Sequence, residues 1–394
     1  MGGGEKQVLV PMGGGKDSLT VWDLLARGRA PVSRQWFFLG MRQGEFAAGP
    51  YAALARESGA SAAPIVLECD FAEQRDAAAT WQVRLGRRPP CTDEMAPPWA
   101  LLVGFASVLV TCAGQVAGGS GQCAPLYIAV GNEHSANEGN VEHNGVTVNH
   151  QFDKGFAFER AFHHYVRAHI SARVHYFSAL QHLWEIAVAR EFAVACGVGG
   201  RASHACLPQE RRYLGRFLSC NRPVEQRNCG GCAKCCFVFA MLSAFLEPEA
   251  AAQPFGGCPF AKPALFPIFE QLMGLRGHKP FECVGTAQEV LAALFLAREQ
   301  HASAGVPLPQ LFRDYAAHVA SGAGFLHLLD EVASQHLCPA WFLLPSASAG
   351  ASSGRRECLG VGEAAAGGGG GGAGQGARVQ KRRRHDAPAG NGTA

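Results

Sequence analysis

No run of eighteen uncharged apolar residues occurs in this chain, so a membrane span is not expected. A secretory signal is also missing: Met1-Gly2-Gly3-Gly4 runs almost directly into a short apolar strand, which implies a reducing, cytoplasmic setting. Net charge is small. The formal +3 owes much to Lys381-Arg382-Arg383-Arg384, and without that run the body is near neutral, so no global field argues for nucleic acid. Aromatic and basic residues do not interleave as they do in single-strand binders, and no internal repeat is visible. Neither a membrane nor a nucleic acid is therefore expected as a partner.

What the chain does have is apolar mass and cysteine. Its 394 residues leave room for one large domain or two ordinary ones, and an apolar content of 48% suffices for a core. Clustered members of the fifteen cysteines read as metal ligands in a reducing compartment, whereas scattered ones such as Cys69, Cys112 and Cys196 read as small buried hydrophobes. Apolar periodicity predicts strands over 7–11, 36–39, 64–67 and 126–130, alternating with helices over 18–26, 51–57 and 95–116. That alternation implies an α/β fold with a parallel sheet over residues 1–150. Residues 151–345 read as mainly helical, with helices over 156–169, 179–195, 236–245, 264–273, 287–299 and 324–334. Residues 346–394 collapse into Gly, Ala and Ser, cannot bury a core and are expected to be disordered; their basic run reads as a solvated tail. Such a tail is unlike a compact bacterial enzyme and hints at a GC-rich, algal source, in which case a plastid joins the cytoplasm as a location.

Between the first strand and the first helix lies Gly13-Gly14-Gly15-Lys16-Asp17-Ser18. Glycines let the backbone turn sharply and approach a ligand without Cβ clashes, and a helix start offers free N–H groups to phosphate. Lys16 adds a mobile cation, and Ser18 is placed to cap the helix and donate to a phosphate oxygen. The loop is not a Walker motif, because Asp17 follows Lys16 and the upstream glycine is absent. It resembles instead the pyrophosphate-cradling loop of the PP-loop ATP pyrophosphatases, with Gly13 in place of the usual leading serine. Such enzymes split ATP into AMP and diphosphate and activate a carboxylate or carbonyl as an adenylate.

Cys220, Cys229, Cys232 and Cys235 follow a C-x8-C-x2-C-x2-C spacing. Two thiolates of the Cys229-Gly-Gly-Cys232 knuckle can face one ion, and Cys235 returns a turn later at a helix start. Four sulfurs suit a closed, structural Zn²⁺ site, while Cys236 points elsewhere, into the core. After the fourth strand comes a polar run, Gly131-Asn132-Glu133-His134-Ser135-Ala136-Asn137-Glu138-Gly139-Asn140, continuing to Asn149-His150-Gln151-Phe152-Asp153-Lys154 and Glu159. Carboxyl ends of parallel strands form the ligand crevice, so this run is expected to face the glycine loop and to bind a polar, charged substrate or Mg²⁺.

Two further phrases complete the pattern: Ser219-Cys220-Asn221-Arg222 leading into Cys229 to Phe239, and His278-Lys279-Pro280-Phe281-Glu282-Cys283-Val284-Gly285. With the glycine loop and Asn132-Glu133, over roughly residues 7–300, they closely resemble the UDP-N-acetylmuramoyl-L-alanyl-L-glutamate epimerase family. The resemblance implies an ATP- and Mg²⁺-dependent inversion of the terminal L-Glu of the nucleotide-sugar peptide UDP-MurNAc-L-Ala-L-Glu, through an acyl-adenylate, for peptidoglycan synthesis. It implies that Gly13, Gly14, Gly15 and Ser18 cradle diphosphate and that Lys16 neutralises developing charge. Asp17 and Glu133 then order the loop or hold Mg²⁺, with Asn132 beside them. Glu138, Asn149, Lys154 and Arg222 are candidates to hold substrate. Cys283, His278, Glu282 and His150 are candidates for proton transfer, with nothing in the sequence to select among them. The chain departs from the family pattern at His134, where arginine is usual, and at Gln181-His182, in place of Arg-Pro. The family usually carries a further domain ahead of the glycine loop. Two other readings compete. One is a different PP-loop adenylating enzyme with a zinc site, similar to the 7-cyano-7-deazaguanine synthases or a tRNA-modifying enzyme. The other is a non-catalytic, zinc-stabilised nucleic-acid-binding module.

Overall fold

Five short parallel strands form the centre of the protein, in the spatial order β3-β2-β1-β4-β7. They are β1 (Lys6–Pro11), β2 (Val32–Gly40), β3 (Ile65–Glu68), β4 (Leu126–Val130) and β7 (Val174–Ser178), while β5 (Val141–His143) and β6 (Val146–Val148) make a separate hairpin. The computed structural model describes residues 5–28, 30–69, 99–117, 125–198, 213–222 and 227–343. The expected disorder of 346–394, the basic run within it, and residues 95–98 of an expected helix lie outside these.

Strand residues alternate between two apolar layers, because successive side chains point to opposite faces of a sheet. Val8, Val10, Trp36, Tyr127 and Phe177 enter one layer; Leu9, Phe37, Ile128 and Tyr176 enter the other. Helices α1 (Lys16–Arg27), α2 (Tyr51–Glu57) and α5 (Glu185–Ala195) cover the first face. Helices α3 (Trp99–Ala117) and α4 (Phe156–His169) cover the second. Trp22 of α1 stacks on Trp36 at 4.1 Å between ring centroids. Ser58 satisfies both indoles: its carbonyl accepts from Trp22 at 3.0 Å and its hydroxyl from Trp36 at 2.8 Å. Beyond the sheet, α6 (Ala233–Ser243), α7 (Phe266–Leu272) and α8 (Ala287–Ser303) extend the first layer into a helical region.

Several expected bounds shift for physical reasons. α1 begins at Lys16, not Ser18, because Gly15 already takes the extended cap conformation. The helix expected over 179–195 begins only at Glu185; residues 179–184 leave β7 as a turn, with Leu183 bridging to Val332. Over 324–334 a 3₁₀ helix, Gly322–Leu329, replaces the expected α-helix. β7 and the β5–β6 hairpin had no counterpart among the expected elements. Residues 1–345 cluster as one compact unit, and β7 pairs with β4, so the boundary expected at 150 passes through the sheet.

Candidate functional site

The strand order reverses direction between β1 and β4, the position where open parallel sheets form a ligand crevice outside the carboxyl ends of the strands. The glycine loop leaves β1 at this point and residues 131–140 leave β4. Gly14 has φ +73°, and a Cβ there would lie 2.8 Å from Cε1 of Tyr51. At that φ any other residue is strained, and its Cβ would also have to displace the Tyr51 ring. A Cβ at Gly13 would meet nothing within 4 Å, so that side of the loop is open. From the far side, Leu218 N–H donates to the Gly14 carbonyl at 2.8 Å, and Lys16 N–H donates to Ser219 Oγ at 3.3 Å. Ser18 lies in the first turn of α1 and is not its cap; its hydroxyl donates back to the Gly15 carbonyl at 3.2 Å.

Lys16 is not the mobile cation its sequence context implies. It is 1% exposed, and its ammonium is clamped between Asp17 and Glu185, the latter at 2.5 Å. Burial alone would lower its pKa, but the charges of Asp17, Glu185 and Glu133 outweigh that and raise it, so Lys16 stays charged. Burial pushes up the Asp17 carboxyl, yet Lys16, Lys234 and Lys154 together hold it below the usual range. Glu185 goes the other way: burial, Glu133 and Asp17 push it up to about 8 despite Lys16. Glu133 is raised by burial and by Asp17, against the pull of Lys154 and Lys16.

A second pair occupies the same charge network. The Lys154 ammonium lies 3.0 Å from Cys283 Sγ, across 129 residues of sequence. Burial would raise the thiol, but Lys154, Lys234 and a hydrogen bond from His150 bring it down to about 5, which makes it a thiolate at neutral pH. Lys154 is itself raised, the charges of Cys283 and Glu133 overcoming its desolvation. Asn140 orients His150, its Oδ1 lying 2.7 Å from Nδ1, and donates its own amide to the Pro280 carbonyl at 3.1 Å.

Of the four proton-transfer candidates, the structure brings Cys283 and His150 together. Glu282 faces the cysteine cluster instead, accepting from Lys234 N–H at 3.3 Å and Asn221 at 3.4 Å. His278 is exposed. Arg222 extends into solvent, 3.8 Å from Glu282. Asn149 is used internally, donating to the Ala136 carbonyl and accepting from Gln151 N–H, both at 2.8 Å. Glu138 is exposed at the mouth, and Asn132 is buried with its N–H on Ser178 Oγ at 2.9 Å.

Among the described residues, Cys220, Cys229, Cys232 and Cys235 form the one group of three or more metal-capable side chains gathered within 4.8 Å. A tetrahedron with metal–sulfur bonds of about 2.3 Å has edges of about 3.8 Å. The Cys220–Cys232 and Cys229–Cys235 sulfurs lie 3.8 and 3.7 Å apart, so the donor set fits Zn²⁺. Arg222 N–H donates to the Cys220 sulfur at 3.2 Å and Cys235 N–H to the Cys232 sulfur at 3.4 Å, which fixes both ligands from outside. Gly230, at φ +67°, permits the knuckle: a Cβ there would sit 2.3 Å from the Phe255 carbonyl oxygen. Cys236 is fully buried in the core beside this cluster.

Sequence reasoning missed Glu185 altogether and, although Asn140, Ser219 and Lys234 lay within its motifs, gave none of the three a role of its own. Lys234 lies between two cysteine ligands, a position that carries a signal. Glu185 opens a helix with no local pattern to mark it, and only its approach to Lys16 gives it a role.

Comparison with known proteins adds a family. The MurL N-terminal domain model matches residues 109–179 and the MurL C-terminal domain model residues 216–323. A UDP-N-acetyl-alpha-D-muramoyl-L-alanyl-L-glutamate epimerase of Salinispora tropica is 34% identical over 198 residues, which is 49% of this chain and 40% of that protein. The protein of the same name from a Micromonospora species is 33% identical over 201 residues, covering 50% and 42%. That of Xanthomonas oryzae pv. oryzae is 37% identical over 175 residues, covering 42% and 35%. The aligned stretches thus span about two fifths of the length of these curated relatives. Both domain models match in chain order, beside relatives at 33–37% identity, so the matched parts of this chain are similar to the MurL family.

Proposed function

We propose that the crevice binds ATP in a PP-loop arrangement and inverts the terminal L-Glu of UDP-MurNAc-L-Ala-L-Glu to D-Glu. The observation that carries the reading is the Lys154–Cys283 pair, a thiolate held at 3.0 Å from an ammonium whose charge also acts on Asp17 of the nucleotide loop. The similarity to proteins named as UDP-N-acetyl-alpha-D-muramoyl-L-alanyl-L-glutamate epimerases supports the same substrate. An α-proton beside an ionised carboxylate is scarcely acidic, because its removal would set a second negative charge next to the first. ATP supplies the remedy when bound: conversion of that carboxylate to an acyl-adenylate, with diphosphate leaving, removes the first charge and makes the carbonyl an electron sink.

This chain's residues then have defined tasks. Gly13, Gly14 and Gly15 present backbone N–H groups and an open face to diphosphate, at the start of α1. Lys16 fixes Asp17 and Glu185, and Asp17 with Glu133 would hold Mg²⁺, which would supply charge neutralisation for the departing diphosphate. Cys283 receives the α-proton, and Lys154 stabilises the thiolate that does so. His150, tied to Asn140, is placed to pass that proton on to solvent, and a proton from water on the opposite face of the planar carbon completes the inversion before the adenylate is hydrolysed. The four cysteines would hold Zn²⁺, and with it bound Ser219 would be kept against the glycine loop and Lys234 near Cys283. The net reaction consumes ATP and water and yields the D-Glu product, AMP and diphosphate.

Incubation with ATP, Mg²⁺ and UDP-MurNAc-L-Ala-L-Glu tests the proposal. AMP release with D-Glu after acid hydrolysis is expected. ATP–diphosphate exchange without inversion would leave the nucleotide chemistry and remove the epimerase reading.

A further inference from the structure

Four lysines converge on the crevice, and three are accounted for. Lys16 is held by Asp17 and Glu185, and Lys154 by Cys283. Lys234 is half-buried, and its ammonium is not among the solvent-shielded polar atoms that lack a hydrogen-bond partner. Lys279 is different. Its ammonium nitrogen is shut off from solvent and has no hydrogen-bond partner among the described residues. A desolvated amine without a partner is costly, and proteins tolerate one where a ligand completes the pairing.

The neighbouring acids do not fill that role. Glu289 is already saturated, accepting from Ser135 Oγ at 2.7 Å, Glu185 N–H at 2.5 Å, and Thr286 N–H and Oγ1 at 2.8 and 2.9 Å. Glu185 meets Lys16 through Oε1, and its buried Oε2, like the Lys279 ammonium, has no hydrogen-bond partner among the described residues. Burial accordingly holds the Lys279 ammonium below the usual lysine range, with Glu289, Glu133, Glu138 and Glu185 pulling it back only in part. Its loop is anchored at the site: the adjacent Pro280 carbonyl accepts from Asn140, the residue that orients His150, and the thiolate follows four residues after Lys279.

A glutamyl substrate brings two carboxylates. The one on the inverted carbon is activated; the side-chain carboxylate remains an anion and needs its own cation. Lys154 cannot serve without releasing the thiolate, and Lys16 is doubly paired. We propose that Lys279 is the subsite for the side-chain carboxylate of the terminal glutamate and selects acidic over neutral residues there. The inference rests on the proposed epimerase reading for its substrate, and its test separates the two.

Isothermal titration of wild-type protein and of Lys279→Met with UDP-MurNAc-L-Ala-L-Glu and with the L-Gln counterpart reads the subsite without turnover. Wild type is expected to favour the Glu ligand by about 100-fold or more, and Lys279→Met to bring the two within about tenfold, because a buried polar group left unpaired rejects the analogue that lacks its partner. Lys279→Arg should keep part of the preference. Loss of an unpartnered buried amine should leave the thermal midpoint of Lys279→Met equal to or above wild type, which separates a lost contact from a lost fold. Equal affinity of wild type for the two ligands, or an unchanged preference in Lys279→Met, overturns the inference. A Glu preference abolished by Lys279→Met, in a protein that releases no AMP, would uphold the subsite and remove the epimerase reading.

Discussion

Replacing Lys154 by methionine takes away the ammonium 3.0 Å from the Cys283 sulfur and keeps a side chain of similar length. In the wild type the thiol is brought down to about 5 from the ordinary value of 9.0, against a burial effect that would raise it. Lys154 is the largest of the lowering influences, with Lys234 and His150 behind it. A close opposite charge is worth about 1–3 pKa units, or about 1.4–4 kcal/mol, so the thiol of the variant should titrate between about 6 and 8. At pH 6, about nine tenths of wild-type Cys283 is then thiolate, against about one half to one hundredth in the variant. Alkylation by iodoacetamide across pH 4–9, read on the Cys283 peptide by mass spectrometry so that other cysteines do not interfere, measures this directly. The same pair fixes a stability trend. Between about 5 and 9 the unfolded chain binds the Cys283 proton and the folded one does not, so the contribution is fully present above that window and lost as pH falls to about 5. Lys154→Met should flatten that part of the profile. An alkylation midpoint for the variant within about half a unit of wild type would refute the reasoning and, with it, the case for Cys283 as base.

Three further outcomes follow from other parts of the structure. Freshly purified protein should hold about one zinc per chain, and its removal by a chelator should speed hydrogen exchange at residues 13–18 through the Leu218–Gly14 contact; less than about half an equivalent would count against the site. Gly230→Ala, at φ +67° with a Cβ 2.3 Å from the Phe255 carbonyl oxygen, should cost at least about 2 kcal/mol in urea unfolding; a loss under about 0.5 kcal/mol would mean that the knuckle relaxes freely. His182 is held down to about 4 by burial and by His336, so between pH 6.5 and 4 the unfolded chain binds the extra proton and stability falls on acidification. The loss is about 3 kcal/mol at most, and His182→Leu should show a smaller drop between pH 7 and 4; an equal drop would assign the acid sensitivity elsewhere.

How much of this was legible beforehand depends on range. Bounds such as Tyr51–Glu57, Leu126–Val130 and Phe156–His169 coincide with the expected ones, because apolar spacing and turn residues are local signals. β7 went unseen because Val174–Ser178 follows closely on a strongly helical stretch and becomes a strand only by pairing with β4. Glu282 and Cys283 are chain neighbours with the same apparent standing, yet one turns to the cysteine cluster and the other to Lys154.

What the amino-acid sequence by itself determined is therefore what short-range chemistry can encode: alternating strands and helices, a glycine loop at a helix start, and four cysteines spaced for one ion. Tertiary structure alone decided which charges meet. Ser219 reaches the glycine loop across 203 residues, Cys283 meets Lys154 across 129, and Lys279 is left without a hydrogen-bond partner among the described residues. Protonation states follow from those meetings, because the strength of a charge in a protein depends on how deeply it is buried and on which opposite charges the fold has carried beside it.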